Sequence, residues 1–554
     1  MNRAVFASLT ILCLLSMWSI TGFIQVVNAD SGTIYIRGDG SIDPATASVQ
    51  TADNITYALT GNISAAADGI VIERDNIVLN GAGYTMTGSG SGNGIDLINV
   101  NGVIIKNANI ENFDCGVYLE SSSNKTTNGD AVVSNVEGIG LDYSVNNTVS
   151  GNNIAANYGH GIRLDYSAND SVSGNNITAN GGHGVYLYNS VSNRVTGNNV
   201  ANNVGGVGLD YSVNNTVSGN NVTANNGDGV TLGSSSNNTV TENNVEENNA
   251  YGVHFDSSSN NSISGNNITA NNWNGIRLDS SSNSCVCGNT ITANSVYGVG
   301  LYISSNCSVS GNNIANNGYG IGLDSGSNGN SISGNKLNAN YGHGIGLFSS
   351  SNNTIFHNNF VNNGFQVYST SDSTNAWDGG YPSGGNYWSD YNGTDLKTGR
   401  YQNENGSDGI GDTPYIIDSS NWDNFPLMGI LSEFNITSQP PVQVVSNSTI
   451  SNFQFNGTAI KFNTTGKNGT TGFCRISLPT ALTNGTFAIV VNAAEVPYTL
   501  LQESNDTQSY LYFTYRHSPQ VTIPELPSFL ILSLFLIATL MAAMMHKKGL
   551  TRTV

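Results

Sequence analysis

The sequence predicts an all-β fold, a right-handed parallel β-helix with about 23 residues per coil, and three observations carry that prediction. First, the phrase "SGNNIAANYGHGIRLDYSANDSVSGNN" (Ser150 to Asn176) recurs with small changes to about Asn363. The place of the Gly in "SGNN" falls at 151, 174, 197, 219, 242, 265, 288, 311, 334 and 357, in steps of 23 broken by a single 22. So constant a period excludes independent domains and fits one turn of a coil per repeat. Second, apolar residues return at fixed places, one row running Ile154, Ile177, Val200, Val222, Val245 and another Leu164, Leu187, Leu209, Leu232, Phe255. Third, apolar and variable residues alternate within "GIRLD" with the period of a strand, β-branched residues dominate, and no stretch of the repeat has a helical period. A coil this short cannot bury a core by itself, so coils must stack as parallel strands ~4.8 Å apart. Parallel crossovers are right-handed as a rule, which sets the expected hand.

The elements follow in chain order. Residues 1–29 read as a secretory signal: Arg3, the apolar run Ala4 to Trp18 and the small-residue site Val27-Asn28-Ala29. An uncleaved anchor is the competing reading, because Gly22 to Val27 prolongs the apolar stretch. The β-helix takes 30–364, opening with looser coils such as "GIVIERDNIVLNG". Asn152, Asn175, Asn198 and Asn220 hold one column of it, and Asn157, Asn180, Asn203 and Asn225 another, where stacked amides can bond as ladders. The Gly before each "IRL" strand is expected to permit a turn that a Cβ would oppose.

Residues 365–430 lose the repeat and gather Trp377, Trp388 and Trp422 among Gly, Asp and Asn, as a cap over the last coil requires. Residues 431–522 alternate as short strands between Gly, Asn and Pro turns, which predicts a small β-sandwich next to the membrane. A transmembrane anchor is expected at 523–546, with the apolar run Leu526 to Met545 as its core. His546, Lys547, Lys548 and Arg552 leave the tail, 547–554, in the cytoplasm. The expected location is thus the extracellular face of the cell membrane, held by a single-pass C-terminal anchor.

The 554 residues carry a net charge of −20 with 18 Lys and Arg, which excludes nucleic acid as a partner. Beyond the signal lie Cys115, Cys285, Cys287, Cys307 and Cys474, an odd and sparse set that does not build a disulfide scaffold. Cys285 and Cys307 stand one coil and one position apart, so a disulfide between them, inert thiols and a metal site are three open readings. Sequons such as Asn176-Ile177-Thr178, Asn392-Gly393-Thr394 and Asn456-Gly457-Thr458 suit a glycosylated surface protein.

Two passages carry a family resemblance. "LTGNISAAADGIVIERDNIVLNGAGYTMTGSGSGNGIDL" is similar to the opening coils of the periplasmic copper-binding protein NosD family, and "NAWDGGYPSGGNYWSDYNGTD…GSDGIGDTPYIID" to its closing segment. The coils from about Asn54 to Met428 resemble that family's β-helix domain and related carbohydrate-binding and sugar-hydrolase β-helix repeats, archaeal cell-surface versions most of all. "IPELPSFLILSLFLIATLMAA" resembles the C-terminal anchor of archaeal surface proteins, with Leu526 where a Phe is expected. The family name implies copper. The residues do not: copper sites gather Cys, Met and His, and of His160, His183 and His343, which share one repeat position, only the first two lie on adjacent coils.

Three sets of residues are candidates for function. The outward place between two apolar rows varies, giving Arg163, Tyr186, His254 and Arg277, and Trp273 stands in a turn nearby. Aromatic faces beside polar donors suit a cell-surface glycan or another surface protein; the competing reading is a solvated rod with scattered aromatics. Asp142 and Asp165 close strands on consecutive coils and, with Arg163, are the catalytic candidates if the protein is an enzyme. "LDxS" is also an ordinary strand-ending turn in which Asp or Ser caps its own backbone. In the cap, Asn403, Asn405, Asp408 and Asp412 of "NENGSDGIGD" could place oxygens around calcium, the one cofactor these residues suggest, though the spacing is not an EF-hand. The expected role is cell-surface structure or adhesion with carbohydrate recognition. A polysaccharide lyase or hydrolase is the alternative, and copper handling, by the family name alone, comes third.

Overall fold

The computed structural model describes residues 30–524, apart from 371, 437–438, 458, 483–486, 492–493, 502–507 and 518–520. The signal expected at 1–29, and the expected membrane anchor from residue 525 on, lie outside the described residues; residues 523–524 end a strand, Val521–Pro524. Within them the only helix is a 3-10 turn at Thr480–Leu482, and no helix is long and apolar enough to cross a membrane.

The chain divides after Gly159 into two compact units, and each winds as a parallel β-helix with three strands per coil. In the first unit Asn93–Ile98, Cys115–Glu120 and Glu137–Asp142 pair in parallel, one strand per coil. In the second unit one coil consists of His183–Tyr188, Arg194–Thr196 and Asn199–Ala201. These pair in parallel with Gly205–Asp210, Thr216–Ser218 and Asn221–Thr223 of the next coil. Three sheets result: a long-strand sheet, a hydroxyl sheet whose outward residues are mostly Ser and Thr, and an amide sheet whose strands mostly begin with Asn. Alternation along each strand turns Val185, Leu187, Val195 and Val200 inward, where all four are fully buried.

The turns between sheets aim polar atoms at the core, and the asparagine columns satisfy them. Asn248 Oδ1 accepts the Asn225 backbone N–H at 3.0 Å, and its Nδ2 donates to Val222 C=O at 3.2 Å and Asn271 Oδ1 at 3.0 Å. The same triple contact links Asn198 to Asn175, Val172 and Asn220 in the second column. Two further columns accompany them. One runs Asn193, Asn215, Asn238, Asn261 and reaches Cys307 and Asn330; the other is a serine ladder through Ser190, Ser212, Ser235, Ser258 and Ser281.

After the coils, the segment to Met428 closes these ladders. Asn358 hands on to Asn386 and Asn386 to buried Asp423; Asn353 hands on to Asn375 and then Asn421; Asn363 ends on Gln366 Oε1 at 3.1 Å. Trp377 and Trp388 roof the core, the Trp388 ring 4.2 Å from Phe360, and their indole N–H groups donate to Asn421 and Asp423. Beyond stand two antiparallel five-stranded sheets around a core that includes Val442, Val444, Phe462, Ile476, Leu511 and Phe513.

Two expectations need correction. The Gly before each long strand has no unusual turn conformation; its lack of a side chain answers a close approach. A Cβ on Gly252 would stand 2.6 Å from both Gly275 C=O and Ile268 Cγ2 of the next coil. Second, Cys285 is bonded to Cys287, and Cys307 is a free, buried thiol. Residues i and i+2 of a strand share a face, so Cys285 and Cys287 both point outward from the hydroxyl sheet. Cys307 occupies an inward ladder place, its S–H donating to Ser281 C=O at 3.4 Å.

Replacing Asn248 by Ala strands the Asn225 N–H and removes a donor from Val222, so it should destabilise the full chain by about 2–5 kcal/mol. Asn249→Ala, one residue along but exposed, should change stability by less than ~0.5 kcal/mol. Equal shifts of the denaturant midpoint for the two variants would contradict the ladder. Peptide mapping without reduction should find Cys285 linked to Cys287 and Cys307 alkylated only after unfolding.

Candidate functional site

The long-strand sheet of the second unit carries the side chains that differ most from coil to coil. One outward column reads Arg163, Tyr186, Gly208, Thr231, His254, Arg277, Gly300 in strict register. The strand period fixes each of these side chains outward, one coil above the next.

His254 lies at the centre of a polar cluster. Its Nδ1 is 3.1 Å from Asp228 Oδ2 and its Nε2 is 3.2 Å from Asp279 Oδ2. Asp228, from the turn one coil earlier, also accepts the Tyr251 backbone N–H at 3.0 Å and the Thr231 hydroxyl at 3.2 Å. Arg277 Nε donates to Asp279 Oδ1 at 2.6 Å, and its guanidinium carbon sits 5.1 Å from the Tyr302 ring centroid. Burial opposes a charge on His254, but the hydrogen bonds and charges of Asp228 and Asp279 outweigh it and lift the imidazole to about 9. Burial likewise opposes the charge on Asp279, and His254 with Arg277 overcomes it, holding that carboxyl below its usual range. At neutral pH His254 is therefore an imidazolium beside the Asp279 carboxylate. The Tyr251 ring lies 4.6 Å from that of His254, tilted 49° to it, and meets Trp273 edge-on at 4.9 Å; half of the Trp273 surface is exposed.

Toward the cap the same face becomes aromatic. Tyr297, Tyr319, His343 and Tyr368 follow on successive coils with ring centroids 5.1, 4.5 and 5.9 Å apart. The outward residues beneath them are glycines, and a Cβ on Gly322 would stand 2.6 Å from the Tyr297 ring. The rings therefore lie across the sheet. Burial holds His343 down at about 4, so it is a neutral ring here. At the other end of the unit His160, His183 and Tyr186 stack, His160 Nδ1 accepts the His183 backbone N–H at 2.9 Å, and Tyr186 O–H donates to Asp210 at 2.7 Å. Burial and then the charges of His183 and Arg163 hold His160 at about 4.

Of the ligand-binding candidates, His254 and Arg277 meet through Asp279, and Trp273 joins them through Tyr251. Arg163 and Tyr186 are neighbours in register but belong to coils on the far side of Gly208 and Thr231. Of the catalytic candidates, Asp142 belongs to the first unit, where it accepts the Tyr118 hydroxyl at 2.9 Å. Arg163 and Asp165 form an ion pair in the second. The sequence shows no local exception to the repeat, whereas the second unit has one acidic exception: Asp228 stands where its other coils carry His, Gly, Tyr, Asn or Phe. The letters "DGV" at that turn were the available signal. Likewise "YGVGL", "YGIGL" and "HGIGL" pair an aromatic with an outward Gly and announced the aromatic run.

The four calcium candidates are not gathered into a cage. Asp412 accepts the Leu396 and Lys397 backbone N–H groups and the Thr394 hydroxyl, and buried Asp408 accepts from Thr398, Gln402 and Ile410. Asn405 Oδ1 accepts from Lys397 Nζ at 2.7 Å, and Asn403 is exposed. Among the described residues no group of three or more His, Cys, Asp or Glu is arranged to hold a metal. A cavity of about 580 Å³ between the last coils and residues 428–450 has Lys336 as its only charged lining residue.

A model of the periplasmic copper-binding protein (NosD) family matches residues 219–393, and a model of the right-handed β-helix region matches 32–200 and 93–245. With the parallel sheets already described, these matches make the chain a right-handed β-helix repeat protein. No curated protein sequence matches it. Among solved structures it is similar to PfbA, a surface adhesin of Streptococcus pneumoniae, at 14% identity over 51% of this chain and 84% of that chain, with a TM-score of 0.40. It is similar also to the Azotobacter vinelandii mannuronan C-5 epimerase AlgE4 A-module, at 16% identity over 58% and 91%, with a TM-score of 0.36. The Dettilon tailspike protein follows at 14% identity over 83% and 87%, with a TM-score of 0.35.

His254 makes a pH prediction. Its folded pKa lies above the ordinary 6.5, so the stability it lends is complete below pH 6.5 and lost as pH rises through about 9. An NMR titration should find the imidazole protonated at pH 8, and Asp279→Asn should bring its midpoint down. A midpoint near 6.5 in the unsubstituted protein would contradict the cluster.

Proposed function

We propose that the protein is a cell-surface β-helix that recognises carbohydrate along the long-strand face of its second unit. The observation that carries this reading is the exposed Trp273 ring beside the Asp228–His254–Asp279–Arg277 cluster, with rings continuing on successive coils from Tyr297 to Tyr368. An extended polysaccharide fits a surface of this kind: sugar rings stack on aromatic faces, and fixed carboxylates and cations bond hydroxyl groups. The register supplies such groups at ~4.8 Å intervals along the coils. The acidic surface, net charge −20, favours a neutral glycan over a strongly anionic one. The apolar run Leu526 to Met545 would hold the chain at the membrane with the coils outside the cell.

A polysaccharide lyase or hydrolase on the same face is the second reading, favoured by the two carboxylates flanking His254. It is the weaker. His254 donates from both nitrogens and keeps its proton to about pH 9, while both carboxylates spend their oxygens on neighbouring groups, so no poised general base stands in the cluster. Copper is not proposed: Cys285 and Cys287 are tied to each other, and Cys115, Cys307 and Cys474 are buried.

A glycan array probed with the full chain in detergent should give binding to neutral polysaccharides without release of reducing ends. Trp273→Ala and Arg277→Ala should each weaken the best hit about tenfold, or ~1.4 kcal/mol, with the fold unchanged by circular dichroism. Full affinity in both variants would move the site off this face. Release of reducing or unsaturated ends would replace the binding reading by the enzymatic one.

A further inference from the structure

The turn that joins each long strand to the hydroxyl sheet bears an asparagine in the left-handed backbone region on most coils. In the second unit Asn169, Asn214, Asn237, Asn260, Asn283, Asn306 and Asn352 hold this place with φ between 56° and 62°; Cys285 stands two residues after Asn283, which leaves six that head an Asn-x-Ser/Thr sequence. All six are exposed. None of the six bonds its side-chain amide to another described residue. Each is followed two residues later by Ser or Thr: Ser171, Thr216, Thr239, Ser262, Ser308 and Thr354.

The ladder asparagines differ on every count. They are buried, both ends of each amide are hydrogen-bonded, and the residue two places on is never Ser or Thr. In the columns of Asn198 and Asn193 the residue two places on is an inward apolar strand residue such as Val200 or Val195, and in the column of Asn248 it is a turn residue such as Ala250 or, after Asn271, Trp273. The six turn asparagines are instead followed by outward hydroxyls of the hydroxyl sheet. A third set, Asn221 and Asn267 on the amide sheet, also heads Asn-x-Thr sequences, but there the amide nitrogens are engaged with Asn199 and Asn244 at 3.0 and 2.7 Å.

We infer that the turn column is a row of N-glycosylation sites, so that one edge of the long-strand sheet carries covalent sugar while the ladders inside stay unmodified. The inference rests on the surface location proposed above. The donor is a lipid-linked oligosaccharide phosphate or pyrophosphate. The Asn Nδ2 attacks sugar C1, the C1–N bond forms, the C1–O bond to the phosphate breaks, the lipid phosphate leaves, and one amide proton passes to a base on the transferring enzyme. The hydroxyl two residues on is the recognition element for that enzyme. At an exposed turn in the left-handed region the amide is presented with no neighbour to displace.

Glycopeptide mass spectrometry of the full chain from its native cells tests the inference, alongside protease shaving of intact cells. Modification is expected at members of the turn column and at no ladder asparagine. Thr239→Val, an outward β-branched replacement, should abolish modification at Asn237 while Thr239→Ser keeps it. A chain that is shaved from intact cells yet unmodified in the turn column would overturn the inference and leave the surface reading standing. A chain neither shaved nor modified would overturn both. Modification at Asn237 that survives Thr239→Val would show a chemistry other than the one inferred.

Discussion

Every coil of this protein must turn three times, and each turn aims backbone N–H and C=O groups at a core that admits no water. Leaving such a group without a partner costs about 1–3 kcal/mol, so an array of coils that failed to solve the problem would not stand. The inward asparagines solve it by serving three groups at once: a backbone N–H on one coil, a carbonyl further back and the amide of the next coil; the inward serines accept a backbone N–H and donate to a backbone carbonyl. That constraint accounts for the repeat. The apolar rows tolerate Val, Ile, Leu or Phe, because the core needs volume and shape, whereas the ladder places tolerate little beyond Asn, with Asp, Ser or Cys as local substitutes such as Asp170, Ser284 and Cys307.

The same constraint decides how the coils of the second unit end. A ladder must be received by something, and Asn421, Asp423 and Gln366 receive the three asparagine columns while Trp377 and Trp388 cover the apolar rows. Burial raises Asp423 to about 7, against the pull of the N–H groups of Asn386, Trp388 and Phe425 that it accepts. With the inward positions committed to stacking, outward positions are free to vary. Their side chains inherit a rigid pitch from the coils below them, and a surface with fixed spacing suits recognition of a ligand that is itself a repeating chain.

Period, strands, sheet direction and two of the ladders were legible in the sequence because they follow from residue type and spacing alone. The third asparagine column and the serine ladder were less so, since Ser284 and Cys307 interrupt one and serine reads as an ordinary turn residue in the other. At the site, His254, Arg277 and Trp273 were visible as departures in the outward column. Asp228 was not, because it lies in a turn 26 residues before His254 and reaches it only once the coils are stacked. The pairing of Cys285 failed for a related reason: proximity of adjacent coils suggested Cys307, but the direction of each side chain, inward or outward, decides which sulfurs meet. In the loop singled out for calcium, Asp412 and Asp408 accept from the backbone N–H groups of Leu396, Lys397 and Ile410 and from the hydroxyls of Thr394 and Thr398, contacts that spacing along the chain does not announce.

The central claim is that the ladders hold one variable face in a geometry that binds an extended glycan. A crystal structure of the protein with a bound oligosaccharide tests it most directly. The account predicts sugar rings over Trp273 and the Tyr297–Tyr319 pair, with hydroxyl groups on Asp228, Asp279 or Arg277 and the chain running from coil to coil. Oligosaccharide seated in the cavity beside Lys336, or on the hydroxyl sheet with the long-strand face bare, would contradict it.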